Sequence, residues 1–408
     1  MPEIKMFNDI NEFPSLSEFD NDEKGFEKLV IFDDFINLKP KEMKKILVTG
    51  CNGLVGKFLI EKLLRHQSDK LYLVIGADIK ESNINLSDLY KNRFTYEKVD
   101  LTNELDLIGL FDKHNPDVVI NAFGIKGSPI RAKTQPVDFL YPSFKINTEI
   151  INQCSKRNIW LVFMSSVGVY SPAETFVESD VWKTLPSEHD WFPSWSKRMG
   201  EILLEAYKVQ YDYKKWSIIR PANIYGDYDD FSGNGTVISS TVKKIWESEG
   251  SIECWGDGSP IRDFVYGGDV ADACIKLFED EINDIVNFGA GVEITIKSMI
   301  ESLVKISGKD LSINWDPSKP NGDLKRQMDV TKQKSYDLLP KKSFNNFFKL
   351  TSLLISAGKL LNSLLLKYKY CKLTSLPISA GKLVNRLYSN LNICKLTSFP
   401  ISAGKLLN

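Results

Sequence analysis

The stretch ILVTGCNGLVGKFLIEKLL (46–64) sets three glycines between an apolar β-rich run and an amphipathic helix, and the alternation of run and helix continues to about residue 225. Such alternation buries its apolar faces as a parallel sheet with helices packed on both sides. The runs at 44–50, 71–78, 94–100, 117–124, 160–166 and 216–226 are the strand candidates. After Tyr225 the spacing loosens and Gly, Asp and Ser become frequent. Residues 226–340 are therefore expected to form smaller elements over the carboxyl edge of the sheet, where open α/β sheets hold their ligands. The expected fold is α/β, a doubly wound parallel sheet with a smaller C-terminal substrate-binding α/β portion.

The glycines have a chemical reason. In a strand–turn–helix unit the first permits the tight turn, the second lets the backbone approach a pyrophosphate, and the third lets the helix pack closely. The helix N-terminus adds unpaired N–H groups and the positive end of its dipole. Gly50, Gly53 and Gly56, with Asn52, Leu54 and Val55 among them, form the expected dinucleotide-binding turn. Asp78 follows the next run, where a carboxylate accepts hydrogen bonds from the adenosine ribose and favours NAD over NADP, because a 2′-phosphate would meet like charge. A solvated turn aspartate reads the same at this one position, and Lys57 and Lys80 stand close by in sequence. Asp100-Leu101 ends the third run, and Asn121-Ala122-Phe123-Gly124 ends the fourth.

Taken in order, TGxxGxxG, an acid after the second run, DL, NAFG, SSVGVYS and RPANIYG resemble the extended short-chain dehydrogenase/reductases of the NAD-dependent epimerase/dehydratase family. These proteins hold NAD in a Rossmann domain and act on nucleotide sugars. The resemblance spans roughly 44–340, and CWGDGSPIRDFVYGGDVADAC with KPNGDLKRQMDVTKQK is similar to the GDP-fucose synthase and epimerase branch. It implies NAD as cofactor, held by the glycine turn, Asp78, Asp100, Leu101, Ala122, Phe123, Gly124, Lys197 and Pro221. It also implies a nucleotide-diphosphate sugar as partner, met by Asn147, Ser166, Asn223, Arg262 and Arg326.

The resemblance makes Ser166 a hydrogen-bond partner of the sugar and Lys197 the catalytic lysine, which binds the nicotinamide ribose and lowers the pKa of an acid–base tyrosine four residues earlier. That earlier residue is Pro193. Proline has no ionisable group, so general-base help of about 10²- to 10⁴-fold lacks its usual source. Tyr170, Glu188, His189 and Asp190 are the other titratable groups nearby. Related dehydratases carry an Asp-Glu pair directly after the serine, where this chain has Val167-Gly168, and fucose synthases a cysteine at the position of Gly168. Redox at one carbon remains: 4-epimerisation or keto-sugar reduction. The alternative is a non-catalytic NAD- or nucleotide-sugar-binding protein that keeps the fold.

Charge narrows the partners. All 53 acids precede residue 341, against 41 Lys or Arg, while 341–408 holds eleven Lys or Arg and no acid. An acidic body argues against nucleic acid. Six scattered cysteines without a CxxC pair, and three histidines, argue against a zinc site and for a reduced interior. The N-terminus lacks the order of a signal peptide, so the expected location is cytoplasmic, with no membrane partner and a homodimer left open. Residues 1–43, with eleven acids, read as a flexible acidic extension, 44–225 as the NAD-binding domain and 226–340 as the substrate-binding portion. The basic tail, 341–408, repeats KLTS-x-x-ISAGKL at a spacing of 23 residues.

Overall fold

The computed structural model describes residues 43–344, apart from 66–70, 85, 87, 126–130, 132–133, 232–234 and 320. The acidic extension and nearly all of the repeat tail lie outside the described residues.

Each of the six apolar runs is a strand: β1 (Lys44–Thr49), β2 (Tyr72–Asp78), β3 (Phe94–Lys98), β4 (Val118–Asn121), β5 (Trp160–Met164) and β6 (Trp216–Pro221). Between them run α1 (Leu54–Arg65), α2 (Glu104–His114), α3 (Pro136–Lys156) and α4 (Trp191–Tyr211). The second half adds β7 (Asn223–Tyr225), α5 (Val237–Glu247), β8 (Gly250–Trp255), β9 (Ile261–Arg262), β10 (Phe264–Tyr266) and α6 (Gly267–Glu279). It ends with β11 (Ile285–Phe288), β12 (Ile294–Thr295), α7 (Ile296–Ser307), β13 (Leu311–Asp316), β14 (Lys325–Arg326) and α8 (Thr331–Ser335).

The central sheet is parallel throughout, in the order β11-β6-β5-β4-β1-β2-β3. Its middle strands are buried on both faces, which is why they read as unbroken apolar runs. Phe58, Leu59 and Leu63 of α1 and Val270 of α6 close one face; Phe111 of α2, Ile150 of α3 and Leu204 of α4 close the other. The seventh strand departs from expectation. IVNF (285–288) lies within the portion assigned to the substrate, yet it pairs with β6, and α6 packs on α1. The second half thus completes the sheet as well as covering its edge.

A second departure concerns the boundary at 340. Phe344 is buried, with its ring 5.5 Å from that of Phe264 and 5.7 Å from that of Tyr225. The first residues assigned to the tail are therefore packed on the body.

Candidate active site

Parallel strands bring their carboxyl ends to one edge, and β1, β2 and β4 are neighbours there. Gly50 leaves β1 at φ +66° and donates its N–H to the Ala77 carbonyl at 2.9 Å. A side chain at Gly50 would meet the Phe123 backbone at 3.0 Å, and one at Gly56 would lie 2.3 Å from the Gly50 carbonyl. Both glycines are thus fixed by close approach. Gly53 donates to the Gly50 carbonyl at 2.9 Å and opens α1, whose first turn holds no acid, so its N–H groups and dipole await an anion. Leu54 and Val55 of that turn are buried.

Asp78 ends β2 with its carboxylate accepting from the Asn52 N–H at 3.2 Å and the Lys80 N–H at 3.1 Å. The Asn52 side chain reaches across to the Glu81 carbonyl, the Tyr96 hydroxyl and the Asn83 N–H, fixing the loop that follows β2. Asp100 closes its own turn by accepting from the N–H and hydroxyl of Thr102, and Leu101 is buried beneath it. Ala122 and Phe123 are half-buried and Gly124 is exposed.

Lys197 joins this turn to α4. Its ammonium donates to the Phe123 carbonyl at 3.0 Å and lies over the Phe163 ring. Burial pushes its pKa down to about 8, against an opposing pull from Glu201. The helix sits close because residue 200 is glycine: any side chain there would strike the Phe163 ring at 2.4 Å. Arg198 holds the other side, donating to the Val169 carbonyl at 2.6 and 2.9 Å and to that of Thr184 at 2.5 Å. A buried ion pair, Arg220 of β6 with Glu201 of α4 at 2.6 Å, ties the helix to the sheet, and the Ser165 hydroxyl also donates to Glu201. None of Arg198, Glu201 and Arg220 was marked by sequence reasoning, because isolated charges in a sequence read as surface.

Ser166 follows β5 and accepts the Gly168 N–H at 3.1 Å, so it does cap a turn; the hydroxyl hydrogen is left to donate. Tyr170 is withdrawn from the site. It is buried, stacked on Phe176, accepts from Arg220 and donates to Asn287, and burial raises its pKa. Asn147, expected to meet the substrate, is spent internally: it accepts from Asn121 at 3.0 Å and donates to the Ser196 carbonyl at 3.4 Å. Thr49 donates to Asn121 in the same buried chain, so Asn147 orients α4.

On the substrate side Pro221 ends β6 beside Phe288, and the next strand begins with Asn223, whose side-chain oxygen is buried without a hydrogen-bond partner. Arg262 and Arg326 stand opposite one another on β9 and β14. Arg326 is shared between Asp190 and Asp323, each at 2.5 Å. Arg262 is half-buried, has no carboxylate within 4 Å among the described residues, and donates only to the Ile261 carbonyl. Burial and the charge of Arg326 push its pKa down to about 10. A guanidinium so placed calls for an anion, and a diphosphate suits its planar fork. Lys325, by contrast, pairs with Glu174 and Glu293.

The residues present fit a dinucleotide: a glycine turn that added side chains would crowd, a helix N-terminus without its own acid, and a carboxylate at the end of β2. Among the described residues no helix is long and apolar enough to cross a membrane.

Comparison with known proteins agrees with this fold. Residues 46–289 match the model of the NAD dependent epimerase/dehydratase family. GDP-L-fucose synthase 1 of Arabidopsis thaliana is 28% identical over 312 residues, 74% of this chain and 90% of that protein. GDP-L-fucose synthase of Escherichia coli (strain K12) is 26% identical over 280 residues, 64% of this chain and 86% of that protein. In fold, the UDP-glucose 4-epimerase of Thermotoga maritima, solved with UDP-glucose, is similar with a TM-score of 0.65 at 23% identity, covering 77% of this chain and 99% of its own.

Proposed function

The chain belongs to the NAD dependent epimerase/dehydratase family, and on that premise we propose that it is an NAD-dependent nucleotide-sugar oxidoreductase or epimerase, acting at one sugar carbon by 4-epimerisation or keto-sugar reduction. The observation that carries this reading is the half-buried Arg262 without a carboxylate of its own, on the substrate side of a site whose cofactor side holds Lys197 and the glycine turn. Arg262 binds the diphosphate. The Asn223 oxygen, unpartnered in the protein, accepts from a ligand donor.

Gly50, Gly53, Gly56 and Asp78 hold the dinucleotide, and Lys197 donates to its nicotinamide ribose. Bound there, NAD supplies the capacity to take up a hydride and give it back. Ser166 donates its free hydroxyl hydrogen to the sugar oxygen, which orients the carbon that is oxidised or reduced. Gly168, where related synthases have a cysteine, provides no group for epimerisation at neighbouring carbons. The names of the relatives favour GDP, UDP or dTDP as the base.

The test is to incubate the purified protein and NAD+ with UDP-, GDP- and dTDP-hexoses, and the protein and NADH with their 4-keto forms. A change at 340 nm, or interconversion of 4-epimers seen by NMR, is expected for one of them. Pro193 favours a second reading, a binding protein that keeps the fold. Tight binding of a nucleotide sugar, seen by calorimetry, without change in either assay would select it.

A further inference from the structure

The site described above lacks a proton acceptor at Pro193, and Tyr170 is locked between Arg220 and Asn287. His189 points to Asp323 at 3.8 Å, and Lys197 is engaged with the Phe123 carbonyl. A carboxylate lies against the serine turn. Asp190 immediately precedes α4, and its carboxylate fills the space that a side chain on Gly168 would need: a methyl there would be 3.3 Å from Asp190 Oδ2 and 2.9 Å from Ser194 Oγ. Ser166 accepts from the N–H of that same glycine, so Ser166 and Asp190 flank Gly168. Pro193 and Lys197, four residues apart, share one face of α4, and Asp190 stands at the start of that helix.

We infer that Asp190 is the acid–base residue of this enzyme, taking the proton of the sugar hydroxyl in one direction and returning it in the other. This rests on the reading of the site as a nucleotide-sugar oxidoreductase. The Asp190 side chain is 36% exposed, open to a ligand, whereas that of Asp323, on the other side of Arg326, is 4% exposed and also accepts from Ser187. In oxidation the sugar carbon loses its hydrogen with both bonding electrons to the nicotinamide cofactor, the hydroxyl proton passes to the Asp190 carboxylate, and the C–O bond becomes a carbonyl. In reduction each transfer reverses, so the carbonyl oxygen receives the proton from the carboxylic acid. The charged and titratable groups around Asp190 are Arg326 in contact, Arg262 and Asp323 beyond it, and His189 and Glu188 beside it in the chain.

The experiment compares wild type, Asp190→Asn and the double variant Asp190→Asn/Pro193→Tyr. Four quantities are measured: NADH affinity by fluorescence, nucleotide-sugar affinity by calorimetry, single-turnover hydride transfer, and the pH dependence of kcat/KM. The single variant is expected to bind both ligands within about threefold of wild type, to lose at least ~10²-fold in hydride transfer, and to lose the acid limb of the pH profile. The added phenol is expected to restore at least tenfold of the rate, with a limb displaced to higher pH. Hydride transfer by Asp190→Asn within threefold of wild type overturns the proposal alone. Absence of turnover by wild type across the whole sugar panel overturns both the proposal and the reading beneath it.

Discussion

Gly53 and Asp78 carry the cofactor assignment one residue at a time. A side chain at Gly53 would sit 3.1 Å from the Gly50 carbonyl and beside the N-terminus of α1. Gly53→Val is therefore expected to abolish NADH binding at a stability cost of about 1 kcal/mol; unchanged affinity in a fluorescence titration would overturn the placement of the pyrophosphate. Asp78→Asn keeps an acceptor for the Asn52 N–H while removing the charge that opposes a 2′-phosphate. It should move the NAD-to-NADP preference by about tenfold, or ~1.4 kcal/mol, and a wild-type preference for NADP would contradict the reading of this strand end. Lys197 gives a pH dependence. Burial holds its pKa near 8, so the ammonium is lost as pH rises through that value, and a phosphate-bearing ligand loses attraction in the same interval. NADH affinity should fall severalfold between pH 7 and 9 in wild type and stay flat in Lys197→Met. Pro193 is tolerated because it is the third residue of α4, within the first turn, where an N–H has no partner in the helix; the first such bond runs from Ser194 to the Asp190 carbonyl at 2.9 Å.

At the scale of elements, α4 determines where Lys197 lies, and the buried pair Arg220–Glu201 anchors α4 to β6. Removing one partner of such a pair leaves an uncompensated charge in the interior, so Glu201→Ala is expected to cost about 3–5 kcal/mol. Urea unfolding would measure it, and a loss below 1 kcal/mol would show that the pair is not needed to seat the helix. The same helix shows what could and could not be read in advance. Its lysine was legible through the family resemblance, and the six strands as apolar runs, because a parallel strand covered on both faces carries its burial in its own composition. The Arg220–Glu201 pair was not, since the partners are 19 residues apart and only the fold brings them together. Asp190 was visible as a titratable group near Pro193, but its contact with Gly168 depends on how the serine turn meets the start of α4. The seventh strand escaped notice because IVNF is short and lies after Tyr225, where the alternation of run and helix loosens.

For the whole molecule, charge and packing differ on where the acidic body ends and the basic repeats begin. Sequence patterning put the boundary at 340, where the last acids stop. Packing puts it later. The Lys342 N–H donates to Asp269 of α6 at 2.9 Å, the Lys342 ammonium lies 4.2 Å from the centre of the Tyr266 ring, and Phe344 is buried against Phe264 and Tyr225. These contacts join residues 342–344 to α6 and to β7 and β10, the pair of strands that carries Asn223. Loss of a buried Phe side chain costs about 3–5 kcal/mol, and the Asp269 carboxylate would lose a donor. A chain ending at 340 should therefore unfold at a markedly lower urea concentration than one ending at 344, and Phe344→Ala in the full chain should reproduce most of the loss. Residues 345–408 repeat a segment that has no counterpart among the family's motifs, so a chain ending at 344 is expected to bind NADH as the full chain does. Equal unfolding midpoints for the chains ending at 340 and at 344 would return the boundary to the position that charge alone suggests.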